Sequence, residues 1–138
     1  MKPEELDVQA AFEQAIRQLY KQGGQSMGKN SCMYRGPNER RCAVGAVLPD
    51  AIYNKAFEGV TFPPGSPGTS DFDRNPSRQA FAMWAYALPE RTRNMLEKLQ
   101  LIHDDELNWK DGRASAVFLE IGVNSDLHWP DDVPMGGW

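Results

Sequence analysis

Both cysteines of the chain, three of its arginines and a Gly-Pro turn fall within Cys32–Asp50, CMYRGPNERRCAVGAVLPD. A second dense segment, LQLIHD at Leu99–Asp104, holds one of the two histidines. Three chemistries are open to these residues. In the first, Cys42 opens a helical turn beside Arg40 and Arg41, where a helix N-terminus and neighbouring cations favour the thiolate. His103 is then the base, oriented by Asp104 or Asn124, as in a Cys-His hydrolase. In the second, Cys32, Cys42 and His103 hold a metal, with Asp104 or His128 as fourth ligand. Cys-x9-Cys is not a standard zinc spacing, however, and no short-spaced ligand pair supports it. In the third, Arg35, Arg40 and Arg41 form an anion pocket for a phosphate or nucleotide.

Each has a plainer counterpart. Free cysteine is among the most buried residue types and packs as a small hydrophobe. His103 lies beside Leu96, Leu99 and Ile102, where a histidine completes a core by bonding a backbone carbonyl. Arginines at a turn are ordinarily solvated. A Cys32–Cys42 disulfide needs an oxidising compartment. The sequence has no Gly-rich phosphate loop, no Ser-centred nucleophile elbow and no Cys-x2-Cys pair. The expectation is therefore no catalytic residue, no resident metal and no cofactor.

Positioning these residues requires mostly helices. Val8, Ala11, Phe12, Ala15, Ile16 and Leu19 recur at helical spacing and predict a helix from about Pro3 to Gln22, stopped by Gly23-Gly24. Cys32-Met33-Tyr34 and Arg40-Arg41-Cys42 flank a strong turn signal and predict a short β-hairpin that sets Cys32 opposite Cys42. Ala43–Leu48 reads as a tight helical turn closed before Pro49, and Asp50 as the cap of a short helix through Tyr53 or Phe57. Val60–Pro76 is Pro/Gly/Ser-rich and reads as a long loop. Ser77 is expected to cap a helix over Arg78–Leu88. Pro89 fits the start of the next, whose face carries Thr92, Met95, Leu96, Leu99, Ile102 and His103. Arg113–Ile121 predicts a short helix ended by Gly122. The fold expected is α+β: a mostly helical single domain over 1–123 with one small β-hairpin, a long internal loop at 60–76, and a C-terminal tail or strap at 124–138.

At 138 residues, 41% apolar and 25% charged, the chain fits one soluble globular domain. No apolar run is long enough to span a bilayer, and the acidic N-terminus lacks the core of a signal peptide, so the cytoplasm is expected. A net charge of −4 and a pI near 5.1 argue against a general nucleic-acid binder. The charge is unevenly placed: the cysteine segment is locally positive, whereas Asp104 to the end is strongly acidic.

At the two dense segments the chain resembles a family of small uncharacterised proteins of tailed bacteriophages and prophages. The shared elements are Cys32, Tyr34-Arg35-Gly36, Cys42-Ala43-Val44-Gly45, Pro49-Asp50 with Tyr53, Glu58-Gly59, and Leu99-Gln100 with His103-Asp104. The resemblance covers about two thirds of the chain, outside Val60–Leu88 and the tail after Gly122. It implies a phage or prophage origin and action in the host cytoplasm, with no assigned reaction. The leading expectation is a non-enzymatic protein that binds and modulates a host component, a host defence system being one such target. The contact residues expected are Arg35, Arg40 and Arg41, and the expected partner is a host protein rather than nucleic acid or membrane. The alternatives are a hydrolase or metal site at Cys32, Cys42, His103 and Asp104, and a protein that sequesters a small anion or nucleotide at the arginine turn.

Overall fold

Five residues of the first helix, Ala11, Phe12, Ala15, Ile16 and Leu19, are fully buried along one stripe, and the helices at Ala43–Val47 and Glu90–Asp104 pack on that first helix. A computed structural model describes residues 2–26, 33–65 and 75–138. Helix α1 spans Val8–Gln22, after a short 3-10 turn at Pro3–Glu5. The Asp7 carboxylate caps it by accepting from the Ala10 N–H at 2.8 Å. Gly23 ends it in the left-handed region at φ 69°, a conformation that costs glycine nothing.

Helix α2, Ala43–Val47, is five residues long and buried along its whole length. It packs against α1 and against α4, Glu90–Asp104. The buried face of α4 is Thr92, Met95, Leu96, Leu99, Gln100 and His103. Helix α3, Pro76–Ala87, places Phe81 and Trp84 in an aromatic cluster with Tyr34, Phe57 and Phe62. Its cap is Asn75, whose side chain accepts from the Ser77 and Arg78 N–H groups, rather than the expected Ser77. Proline at the first helical position moves the start back by two residues.

Helix α5, Arg113–Asn124, runs through Gly122 instead of ending there. Gly122 is needed for packing: a Cβ at that position would stand 2.8 Å from the Phe12 ring. Beyond α5 the chain straps back across α1. Gln9 and His128 exchange two hydrogen bonds of 2.9 Å, Arg17 holds Asp132 at 2.9 Å, and Trp129 sits edge-on to Phe12.

The predicted hairpin does not form. Among the described residues there is no strand and no sheet, so the fold is helical rather than α+β. Arg35 and Arg41 make one isolated antiparallel bridge around a 3-10 turn at Pro37–Glu39, with Gly36 N–H donating to Arg40 O and Cys42 N–H to Tyr34 O. The ladder stops there because Cys42 is already the N-cap of α2, which leaves only Arg40 and Arg41 to pair. Cys32 lies outside the described residues, as does the centre of the Val60–Pro76 loop. Asp50 caps no helix. The 3-10 turn Lys55–Phe57 is capped by Asn54, and the Asp50 carboxylate instead takes Arg35.

Gly45 admits the Tyr34 carbonyl against α2, since a Cβ there would fall 1.8 Å from that oxygen. Gly45→Ala is expected to destabilise beyond the roughly 1–3 kcal/mol of an overpacked core, because backbone has to move. Gly122→Ala should stay within that range, because its obstacle is one ring. Urea denaturation of the two variants checks the order.

Candidate functional site

The cysteine segment and the LQLIHD helix pack together, through polar contacts that run from buried Cys42, Gln100 and His103 to the exposed Asp104. The Cys42 sulfur accepts from the Gly45 N–H at 3.3 Å. Gln100 Oε1 accepts from the Val44 N–H at 3.3 Å, and its Nε2 donates to Asp104 Oδ1 at 2.9 Å. Asp104 Oδ1 also lies 3.0 Å from His103 Nδ1. The Ser26 backbone N–H donates to His103 Nε2 at 3.0 Å. A ring nitrogen that accepts carries no proton, so the imidazole proton sits on Nδ1 and points at Asp104.

This geometry determines what the group can do. Among the described residues no hydrogen bond joins Cys42 to His103, and the His103 lone pair is already taken by a backbone donor. Burial pushes the Cys42 thiol well above its ordinary range, against a smaller opposing effect of the Gly45 N–H. The cluster therefore has the form of a structural clasp that satisfies the N-terminus of α2 and the end of α4. The carbonyl of His103 accepts from Trp109 Nε1 at 3.0 Å and Gln25 Nε2 at 2.9 Å, which closes the last turn of α4. His128 is elsewhere, in the strap beside Gln9. Among the described residues no group of three His, Cys, Asp or Glu side chains is arranged to hold a metal ion.

Arg35 belongs to a second clasp. Its side chain is only 17% exposed; one nitrogen donates to Leu48 O at 2.7 Å, another meets Asp50 at 2.7 Å, and the guanidinium lies 4.7 Å from the Tyr53 ring centre. Glu58 completes it by accepting from the Tyr34 and Arg35 N–H groups and from the Tyr53 hydroxyl at 2.7 Å. Arg35 is thus internal scaffolding rather than a solvated turn cation.

Arg40 and Arg41 face outward. Arg40 donates to Gln25 O at 3.0 Å across Gly24, and Arg41, 34% exposed, reaches Asp50 only at 3.8 Å. Arg41 borders three adjoining surface depressions. One of about 490 Å³ is lined by Lys21, Gln22 and the arginine turn, one of about 530 Å³ by the outer face of α1 with Ala46, and one of about 370 Å³ by Lys2, Pro3, Val47 and Asp50. Together they make a groove along α1 and α2, lined by six cations and three carboxylates. Lys2 and Lys21 gave no sequence signal, because only the fold carries them to the arginines. Gln100 and Glu58 stood in the motif but offered no chemistry of their own until their partners were placed.

No family model, curated protein or solved structure matches the chain. Among the described residues no helix is long and apolar enough to cross a membrane.

Two expectations follow. In a Cys32→Ser background, iodoacetamide should label Cys42 only on unfolding; native-state labelling at a free-thiol rate would return Cys42 to the nucleophile reading. Cys42→Ser keeps an oxygen to cap Gly45 and should fold nearly as well as the parent, whereas Cys42→Ala loses the cap at about 1 kcal/mol.

Burial first and the Glu58 hydrogen bond second push the Tyr53 phenol up to about 12 from its ordinary 10.0. A raised folded value means that the contribution is intact below pH 10 and is lost as pH rises through about 12. The urea midpoint should fall over that window, and fall less steeply in Tyr53→Phe.

Proposed function

We propose that this chain is a phage-type, non-enzymatic protein that acts in the host cytoplasm by binding and modulating a host protein, with a defence system as the target class. The observation that carries the reading is the groove at Arg41, where cations from α1 and from the arginine turn meet on the surface of an otherwise acidic chain. Supporting it, Cys42 and His103 are fully buried, with the Cys42 sulfur engaged by the Gly45 N–H and the His103 ring by Ser26 and Asp104. Their resemblance to phage proteins is then one of scaffold, with the outward face left for recognition. Positive charge at a groove steers an oppositely charged partner and fixes its orientation. The contact residues in this reading are Arg40 and Arg41, joined by Lys21, while Arg35 supports them from behind.

A second reading draws on the same groove: sequestration of a small anion or nucleotide by the arginine turn. A ligand of that kind would raise the thermal midpoint in proportion to its saturation.

The test is quantitative capture from bacterial extract on the tagged full chain. A host protein retained by the parent and by Cys42→Ser should be lost on Arg40→Ala/Arg41→Ala, with all three folded by circular dichroism. Loss in Cys42→Ser alone, with the arginine variant unaffected, would overturn the binding reading in favour of an enzyme.

A further inference from the structure

The groove distinguishes among anionic occupants by its length, its free charge and the absence of rings. Its three depressions meet at Arg41 and extend from Lys2 and Pro3 past α2 to the turn at Asn38 and Glu39. A phosphate or a nucleotide would fill one depression. An extended chain would occupy all three.

Not all the lining cations are available. Arg17 is held by Glu13 and Asp132, and Arg35 by Asp50. Among the described residues Lys2, Lys21 and Arg40 make no ion pair, and Arg41 makes only the long contact to Asp50. The unneutralised charge therefore runs along the groove instead of collecting at one point. The wall behind it is fixed. Gln14 donates its amide to Ala46 O at 2.9 Å, and Gln22 bonds both the carbonyl and the N–H of Arg41. A rigid wall lowers the ordering cost of binding.

Rings decide between polymer classes. Among the described residues the only aromatic lining the groove is Trp84, which is 3% exposed. Single-stranded nucleic acid binds on exposed rings that stack its bases, and none is offered here. The net charge of −4 also opposes a long polyanion, whereas a short segment senses chiefly the field within a Debye length of about 10 Å.

We infer that the groove between α1, α2 and the arginine turn receives an extended acidic peptide segment of the partner, with Lys21 and Arg41 as its principal contacts. This rests on the binding reading above and names the chemistry of the partner.

The test uses a fluorescein-labelled Glu-Ser repeat of about ten residues, long enough to span more than one depression, and follows its anisotropy on the full-length protein. The peptide should bind, weaken as salt is raised, and weaken about five-fold or more in Lys21→Glu and in Arg41→Glu. Lys98→Glu, on the exposed side of α4, should leave binding unchanged. Should Arg41→Glu fail to fold, Lys21→Gln on the outer face of α1 carries the same comparison. Absence of peptide binding, an equal loss in Lys98→Glu, or full displacement by oligo-dT or pyrophosphate at matched charge would each overturn the inference. The last outcome would reassign the groove to nucleic acid or to a free anion. If the peptide fails while arginine-dependent capture of a host protein persists, this inference falls and the binding reading stands; if both fail, the binding reading falls with it.

Discussion

A helix of five residues has no stability of its own in water, because nucleation fixes several residues for very few hydrogen bonds. Yet α2 lies at the centre of this fold, with every residue buried and with α1 and α4 packed on it. Its seating is the constraint on which the rest depends. The N–H groups of its first turn would be orphaned in an apolar interior, where an unmet donor costs about 1–3 kcal/mol. Cys42 takes the Gly45 N–H, Gln100 takes that of Val44, and the Tyr34 carbonyl closes over Gly45 to accept from Cys42. Small side chains at Ala43, Gly45 and Ala46 allow the neighbouring elements to approach.

From that seat the polar contacts extend outward in two directions. Gln100 leads through Asp104 to His103, and His103 ties the chain after α1 to the end of α4 through Ser26. Tyr34 leads through Glu58 and Tyr53 to Arg35 and Asp50, which pin the turn that follows. Such networks are specific because each member is satisfied only in one arrangement. The residues that most resembled a reactive site are the ones that hold the fold together. The same chemistry that makes Cys, His, Asp and Arg useful in catalysis makes them useful as buried connectors.

The outward consequence is the placement of charge. Gln22 bonds both backbone groups of Arg41 and so ties the arginine turn to the end of α1, where Lys21 borders the same depression. The strap neutralises Arg17, on the same helix, through Asp132, and the Arg17 guanidinium holds that carboxyl below its ordinary range. Interior hydrogen bonding therefore sets which cations remain free at the surface.

The sequence by itself determined the helices with a clear apolar period, α1 above all, and the buried face of α4 down to His103. It also determined the left-handed stop at Gly23 and the short helix after Cys42, since these depend on residues close in the chain. Tertiary structure alone decided the rest. The hairpin signal around Gly36-Pro37 was real as a turn, but the strands had no length because Cys42 is a cap, a role sequence rarely assigns to cysteine. Gly122 read as a helix end and is instead the point where the Phe12 ring meets α5, a contact between residues more than a hundred positions apart. Arg35 read as a surface charge until Leu48, Asp50 and Tyr53 were folded around it. Of the groove, only the arginine turn had a signal in the linear chain; Lys2 and Lys21 each come to border a depression with Arg41 only in the folded chain. Local periodicity is written in neighbouring residues, whereas a shared partner or a shared surface depends on distances that only the folded chain defines.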